Sequence, residues 1–402
     1  MDFFTISVPM SLSLNILVLD LTSRTPPYDR RLCEALQKRG CNVELWAAGC
    51  HTDDFDKIAV PRCRGLIDLA VHIPGLSAQT IKYVKGSEYI VNLIGLAVYL
   101  WRVRPDILHV QWLPLLETLP QIELAFLQMC DRLGIPVVYT VHDILPLDQQ
   151  NGHWATYRRV YHSADRLICH TEKTQHRLVE GFGVSSASTC QIPHGPLLDT
   201  AADLEQEAAR NAQSLPRDRP IALLFGVLRP YKGVETLITA WQQVEQHVPE
   251  ALLIIAGGGQ EDYVSEIREK IEEANTSAVQ TRLQFLPEEE LSDLIAAADL
   301  LVYPYRRITQ SGALLAGMNA GKAIVASRVG GLKETLDDDS TGQLVPPDDP
   351  EALAEALADL LSHPNKRRRL AQAAQSLVNK RFSWDVISEK TVNCYRKTRD
   401  SR

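Results

Sequence analysis

Short apolar runs separated by longer amphipathic stretches repeat along almost the whole chain. Asn15–Leu21 (NILVLDL) is apolar nearly throughout, which predicts a buried strand, and the helically spaced Arg30–Arg39 after it ends at Gly40. Val43–Ala47 reads as a second strand, and Ile107–Val110, Val137–Val141, Leu167–Cys169 and Gln191–Pro193 as further short β segments. The alternation restarts with Ile221–Gly226, Leu252–Ala256, Leu283–Phe285, Leu300–Tyr303 and Ala323–Ala326. Strands apolar on both faces and alternating with helices indicate a parallel sheet covered by helices on both sides. The predicted fold class is therefore α/β, with two doubly wound halves joined near residue 205. The polar, Ala-rich Thr200–Asp218, ending in LPRDRP, is the linker, and 402 residues exceed one ordinary core. In such folds ligands bind outside the carboxyl ends of the strands, here the cleft between the halves.

One segment breaks the rhythm. Tyr89–Trp101 (YIVNLIGLAVYLW) is apolar for 13 residues and flanked by Lys82, Lys85, Arg102 and Arg104. It is too short to span a bilayer. A buried helix leading into the strand at Asp106 is the expectation, and a helix resting peripherally on a membrane surface is the alternative.

Composition narrows the classes. Apolar residues make up 45 % and charged residues 23 %, ordinary for a globular chain, and the net charge of −8 disfavours a nucleic-acid partner. Residues 1–200 hold 18 basic and 20 acidic side chains, which leaves 24 basic and 30 acidic to the rest, so the acidity sits in the second half. The eight cysteines (33, 41, 50, 63, 130, 169, 190 and 394) form no Cys-x-x-Cys pair or zinc-spaced cluster. With no signal-peptide pattern at the N-terminus, a reducing cytoplasmic compartment is expected.

Two segments carry chemistry. In LLFGVLRPYKGVETLITAW a strand ends at Gly226, the loop holds Arg229 and Lys232, and Gly233 opens a helix with apolar spacing at Val234, Leu237, Ile238 and Trp241. Two cations beside a helix start make a phosphate grip, although a solvated turn has the same composition. In YPYRRITQSGALLAGMNAGKAIVAS a strand leads through Arg306 and Arg307 to Thr309-Gln310-Ser311-Gly312 and another helix. Small polar residues there let a backbone approach an anion. Two such starts in one half suit a diphosphate.

These segments, with LPEEELSDLIAAADLLVYPY and the run from SGALLAG to GQLVPPDDPEALAEAL, resemble the donor-binding domain of family 4 glycosyltransferases of GT-B architecture over roughly residues 220–360. RPDILHVQW, IPVVYTVHD, ADRLICHTE and IPHGP resemble that family's acceptor-side domain, and SWDVISEKTVNCYRK its closing helix, which crosses back to the first domain. The resemblance implies an acceptor-side domain of residues 1–204 joined by the helix 383–402, and a donor domain of residues 205–382. It implies a hexose transferred from a GDP- or UDP-linked donor to a saccharide, lipid-linked or small-molecule acceptor, with retention, no metal and no cofactor. By the same resemblance Lys232 contacts the diphosphate, with Gly226 and Arg229 in the same loop. The backbone at Ser311, Gly312 and Ala313 cradles the distal phosphate, and Leu286 and Pro287 sit near the base. His142 reaches the transferred sugar, and the Thr25-Pro26-Pro27-Tyr28 loop borders acceptor and phosphates.

The chain departs from the family pattern in two places. Ile308 and Ala316 stand where the family has a pair of glutamates, and Val227 where it has an arginine. Arg229 is the candidate substitute for the arginine, and Gln310 and Glu334 for the carboxylates. A strand-end histidine such as His142 is often only a hydrogen-bonded core residue. His109, His153, His162, His170 and His194 show neither metal spacing nor a partner constellation, with His194 placed to line the cleft. The missing carboxylates also admit a catalytically silent protein that binds a nucleotide-sugar or a partner enzyme. An epimerase would need a carboxylate constellation, and a phosphorylase a cofactor lysine and a longer chain; neither is present.

Overall fold

The computed structural model describes residues 13–48, 60–63, 66–69, 73, 77–145, 153–198, 205–274, 276 and 278–402. The first twelve residues, Cys50 and residues 200–204 of the linker lie outside that set. The chain divides into two compact units, one of residues 1–192 and 388–402 and the other of residues 193–387.

The first unit contains β1 (Asn15–Asp20), α1 (Pro26–Lys38), β2 (Asn42–Ala47), α2 (Ala78–Arg102), β3 (Ile107–Val110), α3 (Pro120–Arg132), β4 (Val137–Val141), α4 (Trp154–Ser163), β5 (Arg166–Cys169), α5 (Glu172–His176) and β6 (Thr189–Gln191). Its six strands are all parallel, in the order β2-β1-β3-β4-β5-β6. The second unit contains α6 (Gln206–Ala212), β7 (Ile221–Phe225), α7 (Val234–His247), β8 (Leu252–Ala256), α8 (Glu261–Glu273), β9 (Val279–Arg282), α9 (Glu288–Ala297), β10 (Leu300–Tyr303), α10 (Gly312–Asn319), β11 (Ala323–Ser327), α11 (Gly330–Thr335), β12 (Gln343–Val345), α12 (Pro350–Ser362) and α13 (Pro364–Arg381). Its sheet, also parallel, runs β12-β11-β10-β7-β8-β9. The last helix, α14 (Trp384–Asp400), starts among the residues of the second unit and belongs to the first from Ser388 on.

Parallel strands need apolar residues on both faces, and β7 shows how the sequence meets that demand. Its Ile221, Leu223 and Phe225 enter one core with Leu252, Ile254, Leu301 and Tyr303. Ala222 and Leu224 enter the core on the opposite face with Leu253, Ile255, Val302 and Trp241. All these side chains are essentially buried, so each strand stabilises the unit twice over.

Three sequence expectations need correction. The strands predicted at Gln191–Pro193 and Leu283–Phe285 lie instead at Thr189–Gln191 and Val279–Arg282. Both are edge strands, half exposed and polar, so the apolar run beside each one is a misleading marker. The third concerns the loop predicted at Thr25–Tyr28. Pro26 and Pro27 are the first turn of α1, where a missing N–H costs nothing, and only Thr25 precedes the helix.

The apolar stretch Tyr89–Trp101 is the C-terminal half of α2. Tyr89, Leu93, Leu96 and Leu100 are buried at helical spacing, while Val91, Ile94, Val98 and Trp101 form an exposed stripe. The helix is thus buried on one side only. Among the described residues no helix is long and apolar enough to cross a membrane.

Candidate active site

Each unit gathers its chemistry at the carboxyl ends of its strands, beside the point where the strand order reverses. In the second unit that point lies between β7 and β10.

The loop after β7 is built around Lys232. Gly226, at φ +100°, turns the chain, and a Cβ on it would stand 2.7 Å from the lysine ammonium. The glycine therefore leaves room for Lys232, whose Nζ donates to the Phe225 carbonyl (3.1 Å) and lies 5.5 Å from the Tyr305 ring. Lys232 is 5 % exposed, and burial, helped by the Arg229 charge, pushes its ammonium down to about 7. An anion at this point would restore the positive charge. Arg229 and Val227 are exposed. Gly233, at φ +64°, caps α7, and a Cβ there would strike the Pro304 carbonyl oxygen at 2.1 Å. Glycine is required by the approach as well as by the backbone angle.

The neighbouring loop, after β10, ends at the N-cap of α10, where Ser311 Oγ accepts the Leu314 amide (3.1 Å). The amides that follow have no acceptor within the helix, as at any helix start. Gly312 is closely covered, since a Cβ would meet Leu197 at 2.5 Å and His194 at 3.3 Å. Tyr303 OH donates to the Ala313 carbonyl (2.8 Å), which fixes the first turn. Gln310 keeps a buried side-chain oxygen without a partner, and Glu334 on α11 is exposed. Ala316 is fully buried in the core, so a carboxylate there would need a strong partner. Arg306 is committed elsewhere. It pairs with Asp348 (2.7 Å) and Glu235 (3.3 Å) and donates to the Pro230 carbonyl (2.8 Å).

Sequence reasoning passed over Gly257–Gly259 and Phe285. A Cβ on Gly257 would meet the Gly226 oxygen at 2.3 Å, one on Gly258 the Phe285 nitrogen at 2.9 Å, and one on Gly259 the Leu228 oxygen at 2.7 Å. The three glycines let the loops after β7, β8 and β9 close on one another. Phe285 is 72 % exposed beside buried Leu286 and exposed Pro287, the N-cap of α9. The run of three glycines after an apolar strand was the available signal.

In the first unit the centre is His142, at the end of β4. Its ring stacks on Trp112 (4.6 Å, 10°) and meets Tyr28 edge-on (5.1 Å), and Arg24 lies 4.6 Å from the same indole. Trp112 Nε1 donates to Thr25 Oγ1 (3.0 Å), while Asp20 accepts the Thr22, Arg24 and Thr25 amides and so winds the β1–α1 loop around a buried carboxylate. Tyr28 is buried, a wall behind His142 and His170.

The histidines expected to lack a partner constellation have one. His170 Nε2 lies 3.4 Å from His142 Nδ1, and its Nδ1 donates to the Ile192 carbonyl (2.9 Å). His142 Nε2 lies 3.0 Å from Gln111 Oε1. His109 contacts Thr140 Oγ1 through Nε2 (2.7 Å) and Tyr395 OH through Nδ1 (2.6 Å). Burial pushes His109 down to about 3 and His170 down to about 4, so both are neutral near pH 7. These residues come from four sequence segments, and no spacing announces them. Among the described residues no group of three or more His, Cys, Asp or Glu could hold a metal ion.

Two family profiles cover most of the chain: Glycosyltransferase Family 4 matches residues 28–196 and Glycosyl transferases group 1 matches residues 205–377. A D-inositol 3-phosphate glycosyltransferase of Xylanimonas cellulosilytica is 28 % identical over 66 % of this chain and 67 % of its own length. Several similar relatives are matched over about two thirds of their length. Among solved structures, sucrose-phosphate synthase from Thermosynechococcus elongatus superposes with a TM-score of 0.73 at 20 % identity, covering 96 % of this chain and 99 % of that one. Anabaena HepE in complex with UDP and glucose gives 0.72 at 18 %, covering 94 % and 98 %.

Proposed function

The chain belongs to glycosyltransferase family 4 and has the GT-B fold, and from that premise we propose that it moves a hexose from a UDP- or GDP-linked donor to a hydroxyl acceptor. The observation that carries this reading is the buried Lys232, held at the switch point of the second sheet with its Nζ 5.5 Å from the Tyr305 ring in the loop that leads to α10. As the sugar–phosphate bond breaks, negative charge builds on the leaving diphosphate. A cation and helix-start amides already in place stabilise that charge more than the ground state. Lys232 and Arg229 supply the positive charge, and the backbone of Ser311, Gly312 and Ala313 receives the distal phosphate. Phe285, Leu286 and Pro287 border the base, and His142 contacts the sugar. The transfer is a retaining one that needs no divalent ion. The acceptor is a saccharide, a lipid-linked saccharide or a small polyol phosphate, the last in keeping with the inositol phosphate named for its relatives.

Calorimetric titration of UDP and GDP, repeated on Lys232→Ala, tests the donor site. Micromolar binding of one nucleotide, lost in the variant, is the expected result. Binding of neither would transfer the argument to the silent reading, which the replacement of two carboxylates by Ile308 and Ala316 favours. Transfer or donor hydrolysis above background eliminates that reading.

The exposed stripe of α2, with Lys82, Lys85, Arg102 and Arg104 at its ends, supports peripheral contact with an anionic membrane that presents the acceptor. Co-sedimentation with anionic vesicles at low salt, weakened by Trp101→Glu, is the expected result; no sedimentation of the wild-type protein removes it.

A further inference from the structure

We propose that Arg306 is a positioning residue that clamps the Pro230–Lys232 turn, and with it the buried Lys232 ammonium, by tying that turn to acidic side chains from two further segments. The proposal deepens the reading that Lys232 faces the donor diphosphate, and it rests on that reading for its effect on nucleotide binding only.

The turn has little of its own to hold it. Pro230–Lys232 is a three-residue 3₁₀ turn, closed by the Lys232 amide on the Arg229 carbonyl (2.9 Å) and the Gly233 amide on the Pro230 carbonyl (3.3 Å). Hydrogen-bond geometry in such turns is poor, so neighbouring groups must fix them. Arg306 reaches this one twice. Its backbone amide donates to the Tyr231 carbonyl (2.7 Å), and its Nη1 donates to the Pro230 carbonyl (2.8 Å). The two residues before Arg306 also meet the turn. A Cβ on Gly233 would stand 2.1 Å from the Pro304 oxygen, and the Tyr305 ring meets Tyr231 edge-on (5.9 Å) and lies 5.5 Å from Lys232 Nζ.

The guanidinium is itself held. Its Nε meets Asp348 Oδ1 at 2.7 Å and its Nη2 meets Glu235 Oε2 at 3.3 Å, so each of its three nitrogens has a different partner. A planar fork makes such contacts at fixed angles, which an ammonium on a flexible stem does not reproduce. Glu235 stands in the first turn of α7, directly after the Gly233 cap. Asp348 lies between β12 and α12 and also accepts from Thr236 Oγ1 (3.4 Å), so the same carboxylate reaches α7. Its φ of +53° is one that few residues other than glycine adopt, and such an angle persists where surrounding contacts over-determine it. The Asp348 hydrogen bond, with the Glu235 charge and Tyr263 from α8 behind it, holds the guanidinium above its ordinary value. Without Arg306 the Pro230 carbonyl loses its outer partner and two carboxylates lose their cation. The turn then opens, and water reaches Lys232.

The direct test is 13C NMR of protein labelled at lysine Cε, titrated without nucleotide, with Lys232 assigned by the signal lost in Lys232→Met. Wild-type Lys232 is expected to titrate at about 7. In Arg306→Gln the hydrated ammonium should titrate at about 8 or higher. Arg306→Lys keeps the charge but not the fork, and should show the same rise; a midpoint unchanged in Arg306→Lys alone reduces the effect to charge and overturns the clamp. The Arg306 side chain is 36 % exposed, so both variants should fold, which circular dichroism checks. Asp348→Asn, which leaves Arg306 in place, should raise the midpoint by a smaller amount. Calorimetry at pH 6, where Lys232 is charged in every variant, should find the affinity for UDP or GDP about tenfold weaker in Arg306→Gln, the size of one hydrogen bond. Undiminished affinity with an unmoved midpoint would make Arg306 a surface ion pair only and overturn the proposal. The NMR arm needs no nucleotide. A raised midpoint in variants of a protein that binds neither nucleotide would fail only the donor-site reading, and nucleotide binding with an unmoved midpoint in every variant would fail only this one.

Discussion

The two strand-end clusters are made from different materials. The second unit uses backbone: Gly226, Gly233 and Gly257–Gly259 bring three loops close, a helix start presents amides, and one lysine fills the space that Gly226 leaves. The first unit uses side chains: His142, His170, Gln111, His109, Tyr28 and Tyr395 meet through hydrogen bonds and ring edges. Backbone geometry is dictated locally, by which residues tolerate a turn, whereas a side-chain network exists only once distant strands lie side by side. The second-unit cluster can therefore be altered by one residue at a time, and the first-unit network responds as a whole.

The strongest way to break this contrast is Lys232→Ala. Loss of a preorganised cation facing developing charge should cost about 2–4 kcal/mol in the transition state, a drop in kcat/KM of about 30- to 900-fold, read in donor-hydrolysis or transfer assays. A smaller effect than that of any single change around His142 would reverse the assignment of the main electrostatic role.

Next comes the glycine comparison. Gly233→Ala meets the Pro304 carbonyl at 2.1 Å and should lose about 3 kcal/mol of stability, whereas Gly40→Ala, also at positive φ but with open space around it, should lose about 1 kcal/mol. Denaturant titration of both variants checks the difference. Equal losses would mean that the backbone angle, not the close approach, makes Gly233 necessary.

Nucleotide binding should also sense pH. Free Lys232 titrates at about 7, and a bound diphosphate holds it charged, so binding takes up a proton above that pH. Affinity is then full below pH 7 and falls about fiftyfold between pH 7 and 9, a slope read by calorimetry on the wild-type protein; a flat profile would mean that Lys232 is not the group that faces the diphosphate.

The smallest effect separates the two units in acid. His109 and His170 have folded values below the ordinary 6.5, so the unfolded chain binds more protons between about pH 6.5 and 4. Their contribution is present above that window and is lost as pH falls, by about 1 kcal/mol for each histidine between pH 6.5 and 5.5. Hydrogen exchange, corrected for its intrinsic pH dependence, should show first-unit amides losing protection before those around β7 and β10. Simultaneous loss would mean that the units unfold together.

Of the second-unit cluster Gly226, Lys232, Gly233 and Ser311 were legible, because they lie in short motifs whose geometry follows from neighbours in sequence, whereas Gly257–Gly259 were passed over. Of the first-unit cluster only His142 and Tyr28 were marked, and both marks came from resemblance. His109 and His170 passed as ordinary histidines because β3, β4 and β5, 20 to 30 residues apart along the chain, become neighbours only in the sheet. The ion pairs of Arg306 were equally invisible, since the carboxylates that hold it, Glu235 and Asp348, are remote in sequence.

By itself the sequence determined the alternation of strand and helix, the division into two parallel sheets and the glycine-bearing turns after β7. Each of these follows from periodicity, from apolar runs and from where glycine permits a backbone no other residue adopts. Tertiary structure alone decided which polar segments would become edge strands, which carboxylates would pair with Arg306 and which histidines would be buried neutral. Those outcomes depend on partners brought together by the folded sheet, and on the loss of water that makes each buried contact obligatory.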